Sequence, residues 1–539
     1  MSGWNFADVW EVVATQVPDA PALVHADRRI SWAALDRRAN GVAAAMLAAG
    51  AAEQDKVAQY LFNAPEYIES MYAAFKAGLV PINTNYRYQD DELVYLWDNA
   101  DCTVVVFHGA FTPTIERIRD RVPRVTSWLW VDDGEGGCPD WAAPYEEAAA
   151  AGTAEAVQGP WGRDGDQLLM TYTGGTTGMP KGVMWRQDDL FRNLVSQMNP
   201  AYRDAAEEDL DLVREQVTQI GPIGMAACPL MHGTGLYTQL IILSLGGSSV
   251  TLASRRFDVI EMFDTIEREK INQIAIVGDT FGKPMLKVLD EYPDRWDLSS
   301  LYLVASSGVM WSEPVKQGLL KHHPGMLLVD VFSSSEAVGM GQSVSSAGGA
   351  SETASFRLGE NTVVITDDGR RVEAGSGDIG RVAVGGFQPI GYYKDPEKTA
   401  ATFIEFEGRR YSCPGDYAMV EADGTLTLLG RGSVVINTGG EKVFPEEVEE
   451  VLKTYAGVRD AVVVGVPDDR FGEVVTAVVE VGPGDPVPAD DLIAFVRGKL
   501  AAYKSPKTVL TIDTIGRAPN GKVDYKRLKA FAADAAGGG

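Results

Sequence analysis

A segment rich in glycine and threonine is the first place where residue types suggest chemistry. Residues 172–182 run Tyr-Thr-Gly-Gly-Thr-Thr-Gly-Met-Pro-Lys-Gly and follow the apolar run 168–170. Glycines let backbone N–H groups approach an anion closely, while threonine hydroxyls and a lysine add donors and charge. The composition suits a triphosphate, and a structural turn is an equal alternative for such a segment in isolation. A Walker loop is excluded, because proline precedes Lys181 and glycine follows it.

A second candidate site lies at residues 330–336, which run Asp-Val-Phe-Ser-Ser-Ser-Glu. An aromatic ring offers a stacking face for a base, a hydroxyl can bond a phosphate, and a carboxylate can hold magnesium. A serine-rich turn that ends in glutamate is, when taken alone, more often a helix cap than a metal site. The segment therefore needs support from other parts of the chain.

Two further side chains could take part in catalysis. Lys522 ends the sequence Pro-Asn-Gly-Lys, and His232 lies in Pro-Leu-Met-His-Gly-Thr-Gly. Alone, Lys522 would be interpreted as a surface residue of a turn, and His232 fits simple packing as well as a role in orienting a substrate. The sequence has no G-x-S-x-G elbow, and no acid stands in an obvious relation to His232, so a hydrolase triad is not supported.

The composition predicts a globular protein of at least two structural units. The chain has 539 residues, 45% of them hydrophobic and 23% charged, which exceeds the usual size of one hydrophobic core. The formal charge of −27 disfavours nucleic acid and anionic membranes as partners. Neither a signal peptide nor a membrane span is visible, and the four cysteines lack C-x-x-C spacing, so we expect a cytoplasmic protein with reduced thiols.

Elements that would position these residues follow an α/β pattern. Apolar runs at 103–107, 273–277 and 326–329 alternate with amphipathic stretches such as 257–270. This alternation predicts mostly parallel sheets covered by helices, with ligands at the loops that follow strand ends. After about residue 430 the pattern changes to a helix starting at Pro445, strands around Val462 and Val475 and another helix, which predicts a small α+β domain.

Charge is distributed unevenly near the C-terminus. Between Arg497 and Lys529 there are nine lysines or arginines and two acids, in a chain otherwise dominated by aspartate and glutamate. This segment could attract phosphates, and a solvated basic helix face is an equal alternative on charge alone.

The motifs together resemble the adenylate-forming (AMP-binding) superfamily of acyl-CoA synthetases, luciferases and peptide-synthetase adenylation domains. The segments at 173–182, 330–336 and 519–522, with Lys-Ala-Gly-Leu-Val-Pro-Ile-Asn at 76–83, occur in the family's order over nearly the whole chain. The resemblance implies an α/β fold with a large N-terminal AMP- and acyl-binding domain of mixed and parallel sheets, residues 1–431. It also implies a small mobile α+β C-terminal domain, residues 432–539, that carries Lys522.

The resemblance implies the following nucleotide-binding residues: Thr173, Gly174, Gly175, Thr176, Thr177, Gly178, Lys181, Ser307, Gly308, Val309, Asp330, Phe332, Ser335, Asp416 and Arg431. Phe332 would stack on adenine and Asp330 would bind its amino group. Asp416 and Arg431 would bind the ribose hydroxyls. The chain departs from the family pattern at Ser333, Ser335 and Pro414, where glycine, threonine and threonine are usual.

Catalytic roles are also implied by the resemblance. Lys522 would stabilise the negative charge that gathers when a carboxylate attacks the α-phosphate, and Glu336 would hold Mg²⁺. His232 would gate or orient the acid. Two half-reactions would use ATP, Mg²⁺ and coenzyme A, and they would release pyrophosphate and then AMP.

The thioester half-reaction implies a second group of residues. The family alternates its C-terminal domain between two positions, and the hinge would lie at Ser433, where aspartate or lysine is usual. Gly439 and Gly440 would border the pantetheine tunnel, and Lys442 would contact phosphate. These roles rest on the resemblance of residues 438–442 to the family's turn.

The substrate is the least defined feature. Gly339 and Gly341 would leave room for a bulky acyl group, and residues 182–190 resemble bacterial synthetases that activate steroid side-chain carboxylates. We therefore expect a hydrophobic acid, with medium or long fatty acids and aryl acids open. The acidic segment 186–222 would either cap the acyl pocket or form a surface insertion.

Rival functions share the nucleotide motifs. A domain that loads a carrier protein is disfavoured, because no carrier module is evident. A luciferase-type oxygenase would be separated by its products. A non-catalytic nucleotide-binding protein would be expected to lose Lys522 or Glu336, and both are present. The oligomeric state is open, with a homodimer as one option.

Overall fold

The computed structural model describes residues 3–173, 179–203, 205, 208–438, 441–468, 471–482, 487–518 and 521–537. The strands are β1 (Pro21–His25), β2 (Arg28–Ser31), β3 (Lys56–Tyr60), β4 (Val80–Asn83), β5 (Cys102–His108), β6 (Ser127–Val131), β7 (Ala143–Pro144), β8 (Leu168–Thr173), β9 (Lys181–Arg186), β10 (Ile223–Ala226), β11 (Ser248–Thr251), β12 (Gln273–Ile276), β13 (Leu303–Ser307), β14 (Leu327–Phe332), β15 (Gly341–Ser345), β16 (Ser355–Leu358), β17 (Thr362–Ile365), β18 (Ile379–Val384), β19 (Gly391–Tyr392), β20 (Phe403–Phe406), β21 (Arg409–Ser412), β22 (Asp416–Val420), β23 (Thr425–Arg431), β24 (Ile436–Thr438), β25 (Glu441–Val443), β26 (Val458–Asp468), β27 (Gly472–Val481) and β28 (Thr508–Ile512).

The α-helices are α1 (Phe6–Gln16), α2 (Trp32–Ala48), α3 (Pro65–Ala77), α4 (Asp90–Asn99), α5 (Thr112–Ile118), α6 (Tyr145–Ala150), α7 (Gln187–Met198), α8 (Pro200–Arg203), α9 (Leu210–Gln216), α10 (Gly233–Ser244), α11 (Val259–Glu269), α12 (Gly278–Glu291), α13 (Glu313–His322), α14 (Pro396–Thr402), α15 (Pro445–Lys453), α16 (Ala489–Lys499) and α17 (Tyr525–Gly537). Among the described residues, no helix combines the length and apolar composition that crossing a membrane requires. Each cysteine lies in the described part of the chain and is free.

The chain divides into two compact units. The first comprises the described residues up to 173, Met179–Glu352 and Gly385–Ser412, and the second comprises Thr353–Val384 and the described residues from Cys413 onward. The predicted boundary between residues 431 and 432 stays a prediction.

Two sheets organise the first unit. One has the strand order β19-β9-β8-β4-β3-β5-β6-β7, and the other includes the order β2-β1-β11-β10-β12-β13-β14-β15. In the second sheet, β12, β13 and β14 are parallel neighbours, and β15 runs antiparallel to β14. Because carboxyl ends of parallel strands meet at one edge of a sheet, the loops after β12, β13 and β14 lie side by side.

Local sequence explains these elements. The run Val104, Val105, Val106 and Phe107 is buried within β5, as expected for β-branched and aromatic residues between helices. The predicted helix 257–270 is α11, which begins two residues later because the Asp258 side chain accepts hydrogen bonds from the first N–H groups. Apolar residues therefore placed the elements, and capping side chains fixed their ends.

The second unit contains two groups of paired strands. Strands β16, β23, β22, β18 and β17 are antiparallel neighbours in that order. The other group has the order β25-β24-β27-β26, and β28 adds to β27 in parallel. The helix predicted at Pro445 and the strands predicted around Val462 and Val475 are present as α15, β26 and β27. The predicted turn at 482–484 lies partly outside the described residues.

Candidate functional site

Strands β8 and β9, which flank the phosphate segment in the sequence, pair antiparallel, and Thr173 lies opposite Lys181. The strand predicted before this segment is therefore present as β8. The predicted ligands Gly174, Gly175, Thr176, Thr177 and Gly178 lie outside the described residues. The Lys181 ammonium is paired with the Asp395 carboxylate, and this hydrogen bond lowers the pKa of Asp395. Asp395 thus holds this lysine at the first residue of β9.

His232 precedes α10, and its carbonyl accepts the Leu236 N–H at 3.0 Å, which starts the helix. The Asn83 side-chain amide, at the end of β4, donates to the Met231 carbonyl at 2.7 Å and to the Tyr172 carbonyl at 2.9 Å. One buried amide therefore fixes the turn before His232 and the last part of β8 together.

The predicted adenine turn follows β13. Ser306 is opposite Asp330 and Ser307 is opposite Val331, so the two predicted adenine segments leave the sheet side by side. Gly308 has a φ of +95°, a conformation that side-chain-bearing residues rarely adopt. The turn, with Val309 after Gly308, therefore needs glycine for its backbone path.

Asp330 is almost completely buried on β14, with 5% of its surface exposed. Burial raises the pKa of Asp330 to about 7, against the opposing attraction of Lys316. Lys316 is itself buried on α13, donates to the Ser351 hydroxyl at 2.7 Å, and has a pKa lowered by burial. Desolvation therefore dominates at both groups and favours their neutral forms. A carboxyl group in this setting is a strong hydrogen-bonding partner for a polar ligand that shares its burial.

The turn after β14 is held at several points of the first unit. The Trp185 indole N–H donates to the Ser335 carbonyl at 2.9 Å, and the Ser412 hydroxyl donates to the Glu336 carbonyl at 2.6 Å. The Tyr392 hydroxyl donates to Glu336 Oε1 at 2.8 Å. Residues from β9, β19 and β21 therefore fix the position of the predicted magnesium carboxylate.

Phe332 and the neighbouring serine lie before that turn. The Phe332 ring at the end of β14 is buried. Ser333 stands where the family pattern has glycine, and its hydroxyl accepts the Gly339 N–H at 2.9 Å. The serine thus has a local function in closing the turn.

A magnesium site built on Glu336 fits the chemistry of this turn. Within the described part of the chain, no group of three or more His, Cys, Asp or Glu side chains could hold a metal ion. Mg²⁺ commonly binds through one or two carboxylates together with substrate phosphates and waters, so one fixed carboxylate is a suitable protein ligand.

The predicted ribose residues lie in the second unit. Asp416 and Arg431 are paired across β22 and β23, and Arg431 Nε donates to Asp416 Oδ1 at 3.1 Å. Asp416 Oδ2 is buried and has no hydrogen-bond partner among the described residues. A buried carboxylate oxygen without a partner is costly, which indicates that a ligand hydroxyl or water completes it.

The residues predicted to act in thioester formation surround a hairpin. Strands β24 and β25 form it, and Lys442 lies opposite Asn437. Gly439 and Gly440, which lie between these strands in the sequence, are outside the described residues. Ser433 lies in the short 3-10 helix Gly432–Val434. Its role as a hinge stays a prediction.

Lys522 is exposed on a short turn of the second unit. The Ala518 N–H donates to the Lys522 carbonyl at 2.9 Å, and the Gly521 N–H donates to the Ala518 carbonyl at 2.7 Å. Gly521 has a φ of +73°, which suits glycine. The lysine is therefore carried by a closed turn.

Comparison with known proteins decides the family. The model of the AMP-binding enzyme matches residues 10–393, and the model of the AMP-binding enzyme C-terminal domain matches residues 447–522. The chain belongs to the AMP-binding enzyme family. The family resemblance and the fold class predicted from the motifs are confirmed.

Relatives in this family are CoA ligases. The chain is 40% identical to a 3-oxocholest-4-en-26-oate–CoA ligase of Rhodococcus rhodochrous over 97% of this chain and 95% of that protein. It is 39% identical, with the same coverage, to a medium/long-chain-fatty-acid–CoA/3-oxocholest-4-en-26-oate–CoA ligase of Mycobacterium tuberculosis. The ATP-bound structure of MatB from Rhodopseudomonas palustris is 25% identical, with a TM-score of 0.80 over 99% of this chain and 100% of that one. The predicted enzyme class, an acyl-CoA synthetase that uses ATP and CoA, is confirmed.

Several residues that position the site cannot be identified from the sequence alone. In the sequence, Asn83 only ends the motif at 76–83, and Trp185 only belongs to the resemblance at 182–190. The sequence assigns no role to Tyr392 or Ser412, because each contacts Glu336 from a segment more than 50 residues away, and no local pattern marks such a contact.

Proposed function

We propose that this protein is an ATP- and Mg²⁺-dependent ligase that joins a hydrophobic carboxylic acid to CoA through an acyl-AMP. The acid would be a steroid side-chain carboxylate or a medium- or long-chain fatty acid. The observation that carries the proposal is the arrangement at β13 and β14, where Asp330 lies opposite Ser306, directly before the Ser307 turn, in a chain of this family.

Nucleotide binding would combine two buried carboxyl groups, those of Asp330 and Asp416, with the partly exposed ammonium group of Lys181. Asp330 would bind the adenine amino group, where burial strengthens a hydrogen bond. Asp416 Oδ2 would accept a ribose hydroxyl, which supplies the partner that this buried oxygen lacks among the described residues. Lys181 and the segment 174–178 would bind phosphates, and Lys181 would then exchange or share its contact with Asp395.

Adenylation would depend on fixed charges. Glu336 would hold Mg²⁺, which when bound neutralises phosphate charge. Lys522 would stabilise the charge that develops as the acid's carboxylate attacks the α-phosphate, and pyrophosphate would leave. The resulting acyl-AMP has a far better leaving group than the free acid, so a thiol can attack it.

Thioester formation would use the second set of predicted residues. Gly439 and Gly440 would leave space for the pantetheine arm, Lys442 would contact phosphate, and Ser433 would be the hinge between domains 1–431 and 432–539. His232 would orient the acid. The structure describes the hairpin β24–β25 and the turn at Ser433, and these roles rest on the family resemblance.

A hydrophobic acid is supported by the relatives and by small residues near Glu336. The Rhodococcus relative is named for a steroid side-chain acid and the Mycobacterium relative for both that acid and fatty acids. Gly339 has a φ of +79° and adds no side chain beside the turn. A bulky or long acyl group would fit such a site better than a small polar acid would.

Several side chains of segment 186–222 pack into the core of the first unit. Its Phe191 ring stacks on Trp4 at a centroid distance of 4.5 Å, and the buried Tyr202 meets Trp4 edge-on. Val213 of α9 is also buried in the core of the first unit. We include this segment in the acyl-binding half of the enzyme, with its role as a cap for the pocket as a prediction.

The direct test is product analysis. Purified protein would be incubated with ATP, Mg²⁺ and a panel of steroid, fatty and aryl carboxylates, with and without CoA, and acyl products, AMP and pyrophosphate would be followed by mass spectrometry. We expect acyl-CoA and AMP from the steroid or fatty acids. Acyl-AMP that never passes to CoA would redirect the proposal to a carrier protein as the acceptor. Cytoplasmic location, absence of nucleic acid and a homodimer stay predictions.

A further inference from the structure

Arg517 makes a three-point contact directly before the turn that carries Lys522. Its Nε and Nη2 atoms donate to the two Asp460 carboxylate oxygens at 2.6 and 2.9 Å, and its Nη1 atom donates to the Gly521 carbonyl at 3.1 Å. A planar guanidinium with a fixed fork of donors can hold a carboxylate and a carbonyl at the same time. One side chain therefore ties the turn to β26.

The ion pair lies largely out of solvent. The Arg517 and Asp460 side chains are 20% and 19% exposed. Burial alone would raise the pKa of Asp460, but the hydrogen bonds and charge of Arg517, together with the charge of Lys453, outweigh burial and hold that pKa below its usual value. Asp460 thus stays ionised at neutral pH, and a bidentate pair of this kind is geometrically specific.

Both ends of the contact are anchored. Asp460 is paired with Glu480 of β27 across the longest pair of strands in the described part of the second unit. The Glu480 carboxylate accepts the Ile515 N–H at 2.8 Å, so the chain entering the turn is held by the same strand pair. The turn itself is closed by the bonds between Ala518, Gly521 and Lys522. Lys522 is therefore one residue beyond a carbonyl that Arg517 fixes.

The contact also bears on the basic segment at 497–529. Lys504 pairs with Glu447, Arg517 with Asp460 and Lys529 with Glu473. These three cations are engaged with acids of the same unit, so the segment's positive charge is partly used for internal contacts. For Arg517, positioning explains the residue better than phosphate attraction does.

We propose that Arg517, held by Asp460, is a positioning residue for Lys522 in the adenylation half-reaction. It fixes the backbone of the turn, so that the lysine ammonium reaches the developing charge without a search through alternative turn conformations. This inference rests on the proposed function, because it assigns a partner to the lysine of that function. It predicts a selective defect, since thioester formation does not use this lysine.

The test separates the two half-reactions. Acyl-AMP formation would be measured in single turnovers from ATP and an accepted acid, and thioester formation would be measured from synthetic acyl-AMP and CoA. Arg517→Ala and Asp460→Asn should slow the first step by about ten- to a hundredfold, the usual cost of a misplaced catalytic group, and change the second less than about twofold. Arg459→Ala, an exposed neighbour of Asp460 on β26, is the control and should leave both steps unchanged.

A double variant shows whether Arg517 acts through the lysine. In a Lys522→Ala background, Arg517→Ala should add less than about twofold to the loss in the first step, because residues that act as a unit are non-additive. Equal loss of both half-reactions in both single variants, or a multiplicative loss in the double variant, would overturn the inference. Melting temperatures identify unfolded variants, and Asp460→Asn serves if Arg517→Ala does not fold.

Failure of the proposed function has a different signature. Wild-type protein that forms no acyl-AMP with any acid of the panel overturns the ligase proposal and this inference together. Wild-type protein that forms acyl-AMP and is indifferent to Arg517→Ala overturns only the inference.

Discussion

Asp330 and Lys522 are two charged residues proposed to act on the same nucleotide, and the protein holds them in opposite ways. Asp330 is on a strand inside the first unit, with 5% of its surface exposed. Lys522 is exposed on a turn of the second unit. Burial sets the chemistry of the first group by removing water, whereas hydrogen bonds to the backbone of the turn, including one from Arg517, help to define the position of the second. A binding group can thus be tuned by its core, while an exposed catalytic group depends on its anchor.

The largest effect should come from the exposed residue. Lys522→Ala should reduce acyl-AMP formation by on the order of 10² or more, because it removes charge stabilisation in the transition state while leaving the core intact. Single-turnover formation of acyl-AMP measures this loss, and circular dichroism checks the fold. Lys287→Ala, an exposed lysine of α12, is the control. A Lys522→Ala variant that forms acyl-AMP at an undiminished rate would contradict a catalytic role for Lys522.

A substitution of Asp416 tests whether its buried Oδ2, which has no hydrogen-bond partner among the described residues, binds the nucleotide. Asp416→Ala should raise the KM for ATP by about tenfold or more, since hydrogen bonds to an ionised group contribute about 1.5–3 kcal/mol. Steady-state kinetics with varied ATP measure the effect. Asp423→Ala, in the exposed turn between β22 and β23, should leave this KM unchanged. If kcat falls at constant KM instead, Asp416 does not act in nucleotide binding.

Tyr392 tests how firmly the first unit must hold Glu336. Tyr392→Phe removes the hydroxyl that donates to Glu336 Oε1 at 2.8 Å. Loss of one such bond should slow adenylation by roughly three- to tenfold and raise the Mg²⁺ concentration needed for half-maximal rate. Tyr393→Phe is a matched control, because the neighbouring hydroxyl donates to Asp101 instead. The same loss in both variants would show that the effect is one of general packing.

The smallest effect concerns stability and pH. The pKa of Asp330, raised to about 7 from 3.8, means that the folded state binds a proton more tightly than the unfolded chain does. The contribution of Asp330 to stability is therefore present below about pH 4 and is lost as pH rises through about 7. Asp330→Asn should remove this dependence.

Melting temperatures of wild type and Asp330→Asn at pH 5 and pH 8 measure it. The wild-type temperature should fall relative to that of the variant by on the order of a few degrees between these values. Asp140→Asn, at an exposed position, should follow the wild type. Parallel curves for wild type and Asp330→Asn would contradict the desolvated state of Asp330.

Much of the architecture was predictable because the signals are local. The apolar run in β5 and the helix that begins at Pro445 follow from side-chain types and from proline at the first turn. The end of a strand was less predictable: the run predicted at 326–329 is a strand that extends to Phe332 and carries Asp330. The charged Asp330 interrupts the apolar run, so a strand boundary that is predicted from apolar residues alone falls before it.

The candidate site was predictable as a set of residues and not as a set of contacts. Motifs identified Asp330, Glu336 and Lys522. They could not identify Tyr392 as the partner of Glu336 or Asp460 as the partner of Arg517, since these pairs are 56 and 57 residues apart. The second unit is likewise built from two separate segments of the chain, Thr353–Val384 and the described residues from Cys413 onward, which no local pattern predicts.

The sequence by itself determined the elements, the order of the motifs and the family, because each depends on residue types at short spacing. Only the tertiary structure decided which carboxylates are buried, which are paired, and which oxygen of Asp416 has no hydrogen-bond partner among the described residues. The physical reason is that burial and ion pairing depend on distances between segments far apart in the chain. Local residue types determine which helices and strands form, but they do not determine how far apart the side chains of distant segments lie.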